Sequence, residues 1–586
     1  MLLVTYCSFS QSVGIGTTSP DASAALEITA NNKGLLIPRM NLASINAIPN
    51  PARGLLVYDS AANQLMVNIG TAAIPNWQAV TGNSGNAWSL NGNAGIDPLN
   101  QFIGTKDDRP LRFRVNNIKA GEVNHLLGNV FLGLGAGFSN ITGSSNTAIG
   151  DSSLFANTSG EVNTAIGRQT LRFNTTGGVN TAIGNFSLYS NTIGNSNTAS
   201  GVESLFSNTE GEHNTANGFQ SLFLNTLGDN NTAMGFQSLR SNTIGSANVA
   251  IGVSTLLSNT IGNSNTATGN AALFSNTTGN ENTATGFHAL SNNISGTGNT
   301  ANGSEALRSN ITGINNTALG INALFSNTTG SSNTAVGIAT LEDNAIGNNN
   351  AAVGRFALAD NISGNFNVAI GTSALSRNTV ANNNVGIGFN AGGSFIAGSF
   401  NTFIGSDART DREGLTNVTA IGAGAVVNAS NKVRIGNSDV TVIEGQVPFS
   451  TPSDGRFKFN VREDVKGLDF IMQLRPVTYQ FDMKRFNGNN KSTDAANDII
   501  FSSYNEATAI RRTGFIAQEV ERAANTVGYN FSGIIKPKTT AEHYSLSYES
   551  FVVPLVKGMQ EQQLMIEDLK KQNADLLKRT LALERK

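Results

Sequence analysis

Asn146-Thr-Ala-Ile-Gly-Asp-Ser-Ser-Leu-Phe-Ala-Asn-Thr-Ser-Gly-Glu-Val162 decides the fold, because the next 17 residues repeat its pattern and so do those after them. An asparagine recurs every 17 residues from Asn129 to Asn401, seventeen times without a slip, and each has a glycine four positions on, from Gly133 to Gly405. A leucine stands eight after the asparagine (Leu154, Leu171, Leu188). A second asparagine stands at eleven (Asn157, Asn174, Asn191) and a second glycine at fourteen (Gly160, Gly177, Gly194). Self-similarity at a short fixed period marks a stacked solenoid and argues against a globular catalytic domain. A 17-residue unit is too short for a helical hairpin. It suits two short strands joined by two tight turns, with the glycines supplying positive φ. Each repeat is therefore expected to be one coil of a β-solenoid, in a mainly β protein.

How each column varies says which side it faces. The position two after the asparagine is almost always alanine (Ala148, Ala165, Ala182), and the position eight after it almost always leucine. Position three wanders from Ile149 to Ser200, Asn217, Met234 and Thr268. Strand side chains alternate between faces, so the uniform columns line the interior and the variable one looks outward or toward a neighbouring chain. The asparagine columns are expected to stack as amide ladders that cap the turns. At about 4.8 Å per layer, the stack makes a rod on the order of 75 Å long. A coil this thin, lined with alanine, is expected to bury too little apolar surface alone, so three chains or so must pack together.

Composition agrees. Of 586 residues, 63 are glycine and only 13% are charged, against roughly 25% in an ordinary globular protein. The net charge of −2 offers no basic field for nucleic acid or an anionic membrane. A single cysteine, Cys7, excludes a disulfide framework within the chain, and no apolar run reaches the roughly 18 residues of a membrane span. His125, His213, His288 and His543 lack ligand spacing, so neither a metal nor any other cofactor is expected.

The flanks differ from the repeats. Residues 1–11 are apolar without a basic leader; they resemble the tail of a secretory signal cleaved near Gln11, and a frayed apolar end fits them as well. Residues 12–122 read as small β elements of unassigned role, with Gly54-Leu-Leu-Val-Tyr-Asp59 and Asn63-Gln-Leu-Met-Val67 alternating as a hairpin. The solenoid spans 123–436, and 437–452 is a linker. From Ser453 charge, proline and aromatics return. Glu463 to Leu474 is expected to form an amphipathic helix stopped by Pro476, and Val477 to Phe481 a strand. A polar insert runs from Asp482 to Arg512, and the chain is helical from Tyr548. In that last segment (548–586) Met559, Ile566, Asn573 and Thr580 share one heptad position, and Leu555, Gln562, Leu569, Leu576 and Leu583 share its partner. This is expected to be a coiled-coil seam in which Asn573 would fix register and chain number, the alternative being a single amphipathic helix packed on its own domain.

Five ordered motifs carry a resemblance: Ser453-Asp-Gly-Arg-Phe-Lys458, Gly467-Leu-Asp-Phe-Ile471, Leu474-Arg-Pro-Val-Thr-Tyr479, Gly514-Phe-Ile-Ala-Gln-Glu-Val520 and Tyr544-Ser-Leu-Ser-Tyr548. Together, 453–547 and the helix after it resemble the intramolecular chaperone of phage tail spikes and fibres, the endosialidase-type domain of peptidase family S74. The resemblance implies a small α+β domain that drives trimerisation of an attached β fibre and then cuts itself off. Its S-D-x-R-x-K motif places the nucleophile at Ser453 and the base at Lys458, with Phe457 where the family has leucine. Independently, a serine hydroxyl needs a base near neutral pH, and a lysine serves if desolvation or a nearby cation such as Arg456 lowers its pKa. Asp454 and Arg456 could equally form a local ion pair that shapes the loop. A chaperone also makes physical sense, because a slip by one coil satisfies almost every contact between repeats.

The repeats resemble in pattern the head repeats of trimeric, YadA-like adhesins, which use a shorter period. The expected function is thus a homotrimeric surface or secreted adhesin-like fibre matured by its own chaperone, with a phage tail fibre as the alternative. Beyond its own copies, the partner would be a cell-surface glycan or protein receptor. A glycan-cleaving solenoid would need paired carboxylates on one face, and Asp151, Glu161, Glu203, Glu212 and Glu281 are scattered over turn positions. The threonine column Thr147, Thr164, Thr181 could suggest an ice-binding face, but threonine is simply a good strand residue.

Overall fold

Only the three residues after each ladder asparagine alternate as a strand must, with a small apolar residue between two outward ones. In the computed structural model, which describes residues 12–80, 102–393, 397–447, 449–482, 486, 509–539 and 542–585, those three residues are the strand. The triplets run Thr147–Ile149, Thr164–Ile166, Thr181–Ile183 and onward to Thr402–Ile404. Neighbouring triplets pair in parallel with each residue opposite its repeat, Ala148 against Ala165 and Ala165 against Ala182.

The second strand predicted for each coil forms only at the far end of the stack, where Arg409–Thr410 pairs in parallel with Val426–Val427; in the other described coils it does not. Turns fill the rest of the coil, and their backbone N–H groups reach the next coil: Leu154 donates to the Thr170 carbonyl at 2.9 Å and Ala156 to that of Arg172 at 3.0 Å. An extended strand is impossible there because the backbone turns left-handed at Ser152 (φ 55°) and again at Leu154 (φ 51°). The glycine columns also differ from expectation. Gly150 has a positive φ (134°), but Gly160 does not lie in the left-handed region. Gly160 is required for space, since a Cβ would collide with the Gly177 carbonyl oxygen and with Asn157 Oδ1.

The interior is sealed within one chain, so the alanine and leucine columns are covered without a neighbouring chain. Ala148, Leu154, Asn146 and Asn157 are all fully buried, as are their repeats along the stack. The left-handed turns bring the leucine column against the alanine column, so the coil is filled by its own side chains. Each such leucine contributes about 1.5–3 kcal/mol relative to an exposed one. Both asparagine ladders form. Asn146 Oδ1 accepts the Asn163 backbone N–H at 2.9 Å, while its Nδ2 donates to the Gly160 carbonyl at 2.9 Å. In the second column Asn174 Nδ2 donates to Asn157 Oδ1 at 2.8 Å and to the Gly177 carbonyl at 2.9 Å. Buried amides satisfied at this density fix the coil spacing.

The first rung of the ladder, Asn129–Leu132, is covered by an antiparallel hairpin of Leu111–Val115 and Ile118–Asn124. Glu122 is buried beneath it, 3.0 Å from Arg112 and 3.3 Å from Lys119. At the far end Thr419–Ile421 and Val433–Ile435 continue the parallel pairing.

Residues up to Lys106 form a separate compact unit. There Leu56–Asp59 and Gln64–Asn68 pair antiparallel around residues 60–63, the hairpin predicted from sequence, over a core of Ile45, Val57 and Met66. The signal-like segment 1–11, with Cys7, lies outside the described residues, as does most of the polar insert.

Beyond the linker, Val477–Gln480 pairs with Arg511–Gly514, and helices Ala517–Thr526 and Val552–Glu584 follow. Phe470, Val520, Phe531 and Phe551 form the core of this small α+β domain. The helix predicted over 463–474 shortens to Leu468–Ile471. It starts only after Gly467, where the carboxylate of Glu561 in the long final helix accepts the Leu468 N–H at 2.8 Å.

Candidate functional site

Ser453 and Lys458 are brought together by one tight turn. Asp454 caps a short 3₁₀ helix, Gly455–Phe457, by accepting the Arg456 backbone N–H at 2.9 Å. Its other carboxylate oxygen accepts from Arg456 Nε at 2.9 Å and Nη2 at 2.6 Å. These bonds hold the Asp454 carboxyl below the usual carboxylate range. With the turn clamped, Lys458 Nζ stands 2.7 Å from Ser453 Oγ. Of the two roles the sequence leaves open for Arg456, the geometry shows the ion pair.

The arrangement is a hydroxyl nucleophile within hydrogen-bond reach of an amine base, the minimum for acyl transfer. Ser453 and Lys458 are both exposed. So are their apolar neighbours, Phe457 at 80% and Phe459 at 91%, which leaves the pair bathed in water within a single chain. The final helix shares this condition: its predicted seam residues Leu569 and Leu576 are 57% and 56% exposed.

The carboxylates considered for glycan cleavage face other partners. Asp151 lies 3.9 Å from Arg168, Glu203 accepts from Gln220 at 2.8 Å, and Glu212 from Asn195 at 2.8 Å. Among the described residues no group of His, Cys, Asp and Glu could hold a metal ion, and no helix is long and apolar enough to cross a membrane. One surface feature escaped the sequence reading. Nine after the ladder asparagine, rings stack from coil to coil, Tyr189 on Phe206 at 4.9 Å and Phe206 on Phe223 at 5.1 Å, with the Arg240 guanidinium 5.4 Å from the Phe223 ring. The signal was there, as aromatic residues 17 apart.

Comparison with known families converges on the same turn. Residues 453–529 match the family model of the chaperone of endosialidase, Peptidase_S74, beginning at the nucleophile candidate itself. That segment is similar to an endosialidase-type chaperone domain. Residues 14–94 match a second family model, the phage tail like trimerisation region. That match supports self-association of the tail-fibre-like chain as a trimer. No curated protein matches the chain.

Proposed function

We propose that the chain is the subunit of a trimeric, tail-fibre-like shaft whose C-terminal domain guides assembly and then cuts itself away at Ser453. The 2.7 Å contact between Lys458 Nζ and Ser453 Oγ carries this reading. Neutral Lys458 takes the hydroxyl proton as Oγ attacks the carbonyl carbon of a peptide bond flanking Ser453. The acyl group passes to Oγ as an ester, the departing amine takes the proton back from Lys458, and water hydrolyses the ester.

Exposure of Phe457 and Phe459 supports coupling between assembly and cutting. When other copies cover these rings, Lys458 loses hydration, and desolvation favours its neutral, basic form. A lone chain then stays uncut and an assembled one matures. The phage-tail match at 14–94 favours a fibre on a phage tail over a free surface adhesin; a surface receptor is the partner this reading implies.

The test compares purified full chain with Ser453→Ala by mass spectrometry. Two fragments summing to 61.2 kDa from the parent chain, with Ser453→Ala intact, are expected. An uncut parent in trimeric form would remove the protease.

A further inference from the structure

The outer wall of the solenoid carries a ridge that one chain leaves uncovered. Positions three and five of each coil flank the invariant glycine, and they compensate for one another. In three of the five coils where position three turns polar, position five is apolar: Ser200 is followed by Val202, Asn217 by Phe219, Thr285 by Phe287. Of the seventeen coils from Asn129 to Asn401, only two, with Thr268 and Asn270 and with Asn302 and Ser304, have neither residue apolar. Position three holds no charged residue in any of them. The ridge side chains are accessible, Met234 at 43% and Phe236 at 47%, and Phe219 stacks on Phe236 at 5.6 Å.

A strip about 75 Å long and about 10 Å wide presents on the order of 750 Å². The largest apolar patch of an ordinary monomer is roughly 300–600 Å², and a stable interface takes about 800 Å² from each partner. The strip is thus the size of an interface, and it carries charge in only three of its seventeen coils, at Asp151, Arg168 and Arg355 of position five, which fits an interface core.

We propose that this ridge faces the three-fold axis of the shaft and is covered by the same ridge of two further copies, parallel and in register. The period argues for that occupant: a cover following the ridge for its whole length must repeat at the spacing of stacked strands, about 4.8 Å, as another copy does. The trimerisation region at 14–94 supplies the chain number. Around a closed three-fold axis, identical residues meet at one level only on a strip that faces the axis. The inference rests on the trimeric reading above and adds which wall of the solenoid forms the seam.

Cross-linking of the full chain tests both separately. In a Cys7→Ser background, which removes the native cysteine, Ile251→Cys places a thiol on the ridge. Ile261→Cys places one at a similarly exposed site outside it, 41% and 44% for the two isoleucines. With a short bis-maleimide, Ile251→Cys is expected to shift to twice the chain mass at least tenfold more than Ile261→Cys, in a sample whose light-scattering mass is that of three chains. A three-chain mass with no preference for Ile251→Cys overturns the ridge and leaves the trimer standing. A one-chain mass overturns both and leaves the ridge for a different partner.

Discussion

Asn242 Nδ2 donates to Asn225 Oδ1 at 2.7 Å and to the Gly245 carbonyl at 2.8 Å, while its own Oδ1 accepts from Asn259 Nδ2 at 2.8 Å. One fully buried amide thus serves three coils. Asn242→Ala leaves the amides above and below it each short of a partner, at about 1–3 kcal/mol for each stranded group. Asn242→Asp is expected to be worse, because a carboxylate cannot donate and sets a buried charge against Asn225 Oδ1. Denaturant unfolding of the two variants checks the order, and equal stability of Asn242→Ala and parent would show the ladder to be passive.

Leu239 is fully buried at a φ of 50°, a left-handed conformation that bulky residues seldom adopt. A swap that keeps volume in a core usually costs less than about 1.5 kcal/mol. Leu239→Met is expected to stay within that range. Leu239→Ile keeps the volume too, but its branched Cβ meets the left-handed backbone and is expected to cost at least about 2 kcal/mol. Thermal unfolding of both separates backbone fit from volume; equal melting temperatures would refute the distinction.

For the Ser453 turn, Lys458→Ala is expected to slow self-cleavage by about 10²–10⁴, the factor a positioned base supplies, and Asp454→Ala to slow it by about tenfold. Asp454→Ala acts by releasing Arg456 and loosening the turn, so its fragments should be identical to the parent's and only appear later. A time course on denaturing gels reads both. Unchanged cleavage in Lys458→Ala would exclude the dyad.

The chaperone domain and the solenoid should answer acid differently. The Glu519 carboxyl is held low by its hydrogen bond from Arg475, and that of Glu521 by Lys536 and then Tyr544. Both folded pKa values lie below the unfolded glutamate value of about 4.3. Their stabilisation is therefore complete above that value and is lost as pH falls through the folded pKa. The fully buried side chains of the repeats are alanine, leucine, phenylalanine, neutral amides and hydroxyls, none of which titrates over this range. Circular dichroism melts at pH 7 and pH 3 should show the domain's transition moving down and the solenoid's staying in place.

The columns that face inward were legible in the sequence, because burial leaves a residue type no freedom: Ala148 and Leu154 recur as the interior demands, and the asparagine ladders follow from their spacing. The path between the columns was not. Alternation can be read over Thr147–Ile149, but the left-handed turns at Ser152 and Leu154 are held by hydrogen bonds to the next coil, not by local preference, so leucine gives no sign of its backbone there. The same turns seal the core within one chain, which reasoning from two flat strands missed. At the candidate site, the spacing of Ser453 and Lys458 was readable through the resemblance, whereas the clamp by Asp454 and Arg456 had to be seen. The head's similarity to a trimerisation region left no mark in its short β elements that physical reasoning could use.

Because the strand pairing and the asparagine ladders join each residue to its counterpart 17 positions away, and the bonds within a coil simply repeat, nothing in the stack counts its layers. Reach is written in the gene as copy number. Duplicating one unit should lengthen the rod by about 4.8 Å and leave both ends untouched, which offers such a fibre a way to vary the distance it spans without redesigning what it holds at either tip.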